Sequence, residues 1–284
     1  MSHNLLRLTS RIYNVPHLVT QESFTVILDY LENRNSPGFR LDAPLQTVQP
    51  ENEDDSTPMM GGIGVLRVDG SLTYKPVQTM CGEVGTSYQQ LVSQMQEMAD
   101  AGVRTVVMEV SSGGGEGSHC LEAANEIRAI ADESNIMLIG YADTMACSAA
   151  YALISVCDYV VANPSARLGS IGVVVALLDQ SKALEQAGLK RVYITAGANK
   201  VPFAADGTFK QEFLDEIQVE VDRLYADFAS HVSNHTGLST KTITGFEAKV
   251  YDADQAVKLG LANAVMTSRQ FTDYVVKAHK GNIQ

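Results

Sequence analysis

The chain has 284 residues, 45% hydrophobic and 19% charged, the balance of a soluble globular protein with enough length for one large domain or two small ones. Its 33 acidic against 21 basic residues leave a formal net charge of −12, which argues against binding a nucleic-acid backbone through a basic face. The four cysteines (Cys81, Cys120, Cys147, Cys157) form no C-x-x-C pair and have no histidines at zinc-site spacing, so they read as reduced, buried or half-buried thiols with no metal or cofactor expected.

The first residues lack the uninterrupted apolar core of a signal peptide, and the longest apolar run, 171–178, is far short of the roughly 20 residues that span a bilayer. A soluble, cytoplasmic protein with no membrane partner is the expectation. Residues 1–60 read as an arm and linker. Within them 23–35 could form a strand or a short helix, and the acidic run ENEDDSTP at 51–58 has the composition of a solvated connector.

The folded core begins at Gly61. GIGVLRVDGSL alternates as a strand, and a helix with apolar residues at helical spacing is predicted over 88–101. VRTVVMEV (103–110) is nearly continuous and β-branched, as expected of a parallel strand covered on both faces. After the SSGGGEG loop (111–117), CLEAANEIRAIAD reads as a helix and IMLIGYA as a strand. A helix behind Ser148, a short strand at 159–162 and the apolar IGVVVALLD follow. SKALEQAG reads as a helix closed by Gly188, KRVYITA as a strand, and 208–236 as a long amphipathic helix ending before Gly237. Two short helical pieces, STKTITGF and DADQAVKLG, precede a C-terminal helix in TSRQFTDYVVKAHK. Strands alternating with helices predict an α/β fold with largely parallel sheets.

Three features carry chemistry. Ser148, in ACSAAY, follows a strand and opens a helix, where free N–H groups and the positive end of the helix dipole could stabilise an oxyanion. Read locally, it is either a nucleophile or an N-cap serine. The three consecutive glycines of SSGGGEG could present amides as an oxyanion hole or a phosphate cradle, or simply form a flexible turn; no lysine follows to make a P-loop.

The third feature is the base. None of the histidines (His3, His17, His119, His231, His235, His279) lies in the β-α units after Ser148. His231 and His235 are spaced i, i+4 without an intervening glutamate and read as a solvated helix face. A lysine serves as base if burial lowers its pKa from about 10.4 by several units. Lys200, in the Gly/Ala-rich loop TAGANKVPF, is the candidate; Lys190 and Lys210 read as solvent-exposed.

SSGGGEG, MACSAAYALISVCDYVVANPSARLGSIGVV, GANKVPF and FEAKVYDADQAVKLGLANAV, in this order and spacing, resemble the motifs of the signal-peptide-peptidase A family of Ser-Lys serine peptidases, over roughly residues 61–265. NVPHLVTQESFTVILDY resembles the start of the lambda-type phage head-maturation proteases, a branch without a membrane anchor. The resemblance implies Ser148 as nucleophile, Lys200 as general base and Ser170 as the residue orienting the lysine amine. It implies an oxyanion hole from Gly115 and the amide of Ala149, with Gly114 adjacent.

It also implies a crotonase/Clp-protease-like spiral of repeated β-β-α units and C-terminal helices packed against neighbouring subunits in a homo-oligomeric ring. The domains expected are an arm and acidic linker (1–60), a peptidase core (61–266) and a C-terminal helix (267–284). The implied activity is cleavage of phage scaffold or capsid proteins during prohead assembly and maturation, in the host cytoplasm or within the prohead. The chain departs from the family in having Ser111-Ser112-Gly113-Gly114-Gly115 where Asn/Asp-Ser/Thr-Pro-Gly-Gly is usual, and Ala150 where many relatives have glycine. It ends without a low-complexity tail, so any scaffold is expected to be a separate protein or to lie outside this sequence. The alternatives are a soluble cellular peptidase of the same family, an acyl-CoA enzyme on the same fold using Glu109 or Glu116, and an assembly component with a vestigial site.

Overall fold

A computed structural model of the chain describes residues 12–33, 59–76, 78–79, 82–83, 85–204 and 206–281. Cys81 and the acidic run at 51–58 lie outside the described residues. In chain order the elements are β1 (His17–Val19), α1 (Gln21–Asn33), β2 (Met59–Met60), β3 (Ile63–Asp69), β4 (Leu72–Thr73), β5 (Gln78–Thr79), β6 (Gly82–Glu83) and β7 (Thr86–Ser87). Next come α2 (Tyr88–Asp100), β8 (Thr105–Ser112), β9 (Gly114–Glu116), α3 (Cys120–Glu133), β10 (Met137–Cys147), α4 (Ala149–Ile154), β11 (Tyr159–Ala162) and β12 (Arg167–Gly169). The rest are α5 (Ser181–Gln186), a 3₁₀ turn (Ala198–Lys200), α6 (Gln211–Thr236), α7 (Thr240–Thr244), β13 (Val250–Asp252), α8 (Ala253–Leu259), β14 (Ala264–Val265) and α9 (Ser268–His279).

The β-branched run becomes β8, paired in parallel with β3 on one edge and β10 on the other, and six of its eight residues are buried. Burial on both faces is what its lack of alternation predicts. β10, eleven residues long, divides its outer edge. Ile139–Ala142 pairs with β11 and Met145–Cys147 with β12, both in parallel, and the register with β8 shifts between Ala142 and Met145. Such an irregularity bends a strand and increases its twist. A second, four-stranded sheet has the order β1–β9–β4–β7. The architecture is mixed α/β, with parallel pairing through the larger sheet except at β2 and β13, which pair antiparallel with β3 and β12.

Helices cover both faces of that sheet. α2 is capped by Ser87, whose hydroxyl accepts from the Gln90 amide, and buries Tyr88, Leu91, Met95 and Met98 at helical spacing. With α3 and α4 it forms the main core against β3, β8 and β10. α9 covers the opposite face of the same sheet: Phe271 stacks on Tyr141 with ring centroids 4.1 Å apart, and Val275 packs in the same cluster. Phe271→Ala is expected to cost about 3–4 kcal/mol through lost burial and the cavity left behind, read as a fall in the urea midpoint.

Two expectations change. SSGGGEG is not a loop: β8 runs through Ser112, and after a break at Gly113 residues Gly114–Glu116 form one of the two inner strands of the smaller sheet. KRVYITA is not a strand. It finds no partner strand among the described residues, and Ile194 is 98% exposed. A strand pattern needs a neighbour to complete its hydrogen bonds, and local sequence cannot supply one.

Candidate active site

The C-terminal ends of three adjacent parallel strands build the site. Across the sheet, Ser112 of β8 pairs with Ala146 of β10, and Cys147 of β10 pairs with Gly169 of β12. The residues that follow, Gly113–Gly115, Ser148 and Ser170, therefore emerge on one edge, the usual position for functional groups in parallel sheets.

Ser148 has φ 56° and ψ −120°, a left-handed conformation that a non-glycine residue adopts only when its surroundings hold it. Its amide donates to the Gly169 carbonyl at 2.8 Å, while its own carbonyl accepts from Tyr151 at 2.9 Å and Ala152 at 3.0 Å. The side chain makes no capping bond to α4. Ser148 is completely buried, and its Oγ has no hydrogen-bond partner among the described residues. Ser148 thus stands at the N-cap position without acting as a side-chain cap, and its buried hydroxyl has no partner among the described residues. An orphaned hydroxyl on a strained turn is costly for folding and suited to attacking a bound group.

The preceding residue is not a competing nucleophile. Burial pushes the Cys147 thiol up to about 12, with Glu22 adding to the rise and Arg167 opposing it, so it stays protonated near neutrality. Cys120 is raised to about 12 by the same cause, despite the opposing hydrogen bond from Tyr88.

The glycine strand lies against the start of α4. A side-chain carbon added at Gly114 (φ 101°) would sit 3.1 Å from the Ala149 amide nitrogen. That amide opens the first turn of α4 and is not used within the helix. The Gly114 N–H is already engaged by Ser112 Oγ at 3.1 Å, and the same hydroxyl donates to the Gly70 carbonyl at 2.6 Å. Ser112 thereby anchors the strand, a role its place in a glycine-rich stretch did not suggest. Gly115 is the residue of β9 paired with both β1 and β4. Glu116 is also structural, its carboxylate accepting the Tyr74 amide at 2.8 Å and its carbonyl accepting the Tyr88 hydroxyl at 2.6 Å.

Ser170, with φ 52°, is mostly buried, and its amide donates to the Lys249 carbonyl at 2.8 Å. Lys200 is placed differently. It ends the 3₁₀ turn on an exposed segment whose own packing is an aromatic ladder, Tyr193–Phe203–Phe209–Phe213, with ring centroids 4.9–6.0 Å apart. Because Ser148 Oγ has no hydrogen bond, the Lys200 amine is not within hydrogen-bond reach of it. The structure brings together Ser148, Ser170, Ala149 and the glycine strand, and leaves Lys200 apart.

His231 corrects another expectation. It is 5% exposed, and its Nε2 lies 3.0 Å from the Ala152 carbonyl of α4 and 3.4 Å from Ser155 Oγ. Burial lowers its pKa to about 4, with His235 lowering it further and the Ala152 carbonyl opposing. An unfolded chain takes up this proton near 6.5, so between those values the unfolded state binds more protons and stability falls as pH falls. The loss expected across this window is about 3 kcal/mol, and His231→Gln should flatten the pH dependence of the urea midpoint there.

The profile of peptidase family S49 matches residues 131–281, just over half of the chain. The head-tail preconnector protein GP5 of Enterobacteria phage P21 is 29% identical over 227 residues, covering 80% of this chain and 45% of that protein. Capsid assembly protease C of Escherichia phage lambda is 29% identical over 231 residues, covering 79% of this chain and 52% of its own length. A putative signal peptide peptidase of Enterococcus faecium is 26% identical over 217 residues, 76% of this chain and 63% of the relative. The chain thus spans about half the length of the two phage relatives. Among the described residues no helix is long and apolar enough to cross a membrane.

Proposed function

The chain belongs to peptidase family S49, and from that membership we propose that it is a serine endopeptidase in which Ser148 is the nucleophile and Lys200 the general base. The observation that carries this reading is Ser148 itself, on a strained backbone next to the Ala149 amide, with a buried hydroxyl that has no partner among the described residues. In the proposed reaction Ser148 Oγ attacks the scissile carbonyl and gives its proton to the neutral lysine amine. The resulting oxyanion is held by the Ala149 N–H and an amide of the glycine strand, with Gly115 as donor and Gly114 adjacent. The departing amine takes the proton from the lysine. A water then hydrolyses the acyl-enzyme by the same route. Ser170 orients the lysine amine.

Such a dyad needs the segment around Lys200 to move onto the serine. The exposed apolar side chains of that segment, Leu189, Val192 and Ile194, are the kind of surface that association into a homo-oligomeric ring covers. We take the fold as the crotonase/Clp-like spiral, with residues 1–60 as arm and linker, 61–266 as peptidase core and 267–284 as C-terminal helix. The phage relatives named above support scaffold and capsid proteins as substrates, cleaved during prohead maturation in the host cytoplasm or within the prohead.

The test is a time course with co-expressed scaffold and capsid protein, comparing wild type with Ser148→Ala and Lys200→Ala. Cleavage should be lost in both variants. Full activity in Ser148→Ala overturns the assignment. Cleavage that persists in Lys200→Ala removes the lysine.

A further inference from the structure

The edge of β9 beside Ser148 is already paired with a segment of the chain itself. Residues 16–20, which follow a turn at Asn14 (φ 64°), run extended between two backbones, with His17–Val19 as β1. On one side β1 pairs antiparallel with β9, His17 opposite Glu116, Leu18 opposite Gly115 and Val19 opposite Gly114. Pro16 and Thr20 extend that edge, with Gly117 N–H donating to the Pro16 carbonyl at 3.3 Å and Thr20 N–H to the Gly113 carbonyl at 2.9 Å. On the other side His17 and Val174 exchange a pair of bonds, 2.8 and 3.0 Å, and the Asn14 amide donates to the Ala176 carbonyl at 3.1 Å. Hydrogen bonds to both edges of an extended backbone are how a β-cleft holds a peptide.

Its position relative to the nucleophile is specific. The side-chain carbon that Gly114 lacks would meet the Leu18 carbonyl oxygen at 2.1 Å and the Ala149 amide nitrogen at 3.1 Å. A carbonyl of the arm therefore sits beside the amide assigned to the oxyanion hole. The Leu18 side chain is fully buried and lies against Gly117, next to Leu224 of α6. Ser148, beneath, has no exposed surface. The rest of the arm belongs to a separate apolar cluster: Ile12, Phe24 and Leu31 are its buried members, with Val174 and Ala176 packed against it. A satellite cluster can open without dismantling the main core.

We propose that residues 13–20 are an intramolecular, substrate-like strap that occupies the peptide cleft and holds the peptidase inactive until it is displaced. The inference rests on the Ser148 reading and adds its regulation. Substrates are then extended, unfolded segments that take the strap's place along β9, with an apolar side chain in the register of Leu18. The strap blocks by occupancy, so no bond in it needs to be cleaved.

A reversible lock tests this on the full chain. His17 and Val174 are a hydrogen-bonded antiparallel pair, whose Cα separation of about 5.5 Å lies within disulfide range. His17→Cys with Val174→Cys should cross-link the strap to the cleft under oxidation and release it under reduction, with the bond confirmed by mass spectrometry. In a Ser148→Ala background, binding of fluorescein-labelled casein should be at least about tenfold weaker in the oxidised than in the reduced form. Equal affinity in both forms overturns the strap. In the background that retains Ser148, a fluorophosphonate should label the serine at least about tenfold more slowly when oxidised. If the reduced form is not labelled at all, the nucleophile reading fails, while the casein result, which needs no chemistry, still decides the strap. The reduced protein serves as its own folding control.

Discussion

Replacing Ser148 by alanine is expected to abolish peptide hydrolysis, by on the order of a thousandfold or more, without lowering the urea midpoint. The hydroxyl has no hydrogen-bond partner among the described residues, so its removal leaves no buried group newly unsatisfied. Ser148→Gly separates strain from chemistry more sharply. At φ 56° a glycine relieves the conformational cost of a side chain, so this variant should be inactive yet more stable by about 1 kcal/mol. A residue kept for structure would show the reverse, a loss of stability with each change. Equal activity in the wild type and both variants would remove Ser148 from the chemistry.

Gly115→Ala is expected to destabilise the protein by about 3 kcal/mol and to remove activity with it. The reason is close approach and not backbone conformation. An added carbon would lie 2.0 Å from the Leu72 carbonyl oxygen and 2.6 Å from both its carbonyl carbon and its amide nitrogen. These are backbone atoms of β4, so the strand as a whole has to retreat, and with it the spacing between β9 and α4. Gly102→Ala is the control. Gly102 has φ 73° but nothing within 4 Å of the added carbon, so only the conformational cost of about 1 kcal/mol applies. Denaturant midpoints of the two variants decide the matter, and equal costs would show that the contact with β4 is slack.

The elements that sequence reading located well are those set by short-range physics. α6 ends where Gly237 takes φ 74°, and the C-terminal helix begins with a reciprocal capping box between Thr267 and Gln270. The buried run of β8 could be read from its β-branched composition. For residues 23–35 helix and strand are both open to the sequence; 23–33 fall within α1, whose apolar residues pack with Ile12 and Val174, and 34–35 lie outside the described residues. The solvated reading of His231 failed because its burial depends on α4, whose Ala152 lies 79 positions away.

From the amino-acid sequence alone came the alternation of strands and helices, the serine opening a helix, the glycine run and the family resemblance. Each is written in the geometry of a few neighbouring residues or in ordered local motifs. Tertiary structure decided the rest. It turned the glycine run into a strand and denied Ser148 the cap its position suggested. It also laid His17–Val19 beside Gly114–Glu116. Those outcomes depend on partners distant in the chain, such as Leu72 for Gly115 and His17 for Glu116, and local periodicity carries no information about which distant backbone will complete a hydrogen bond.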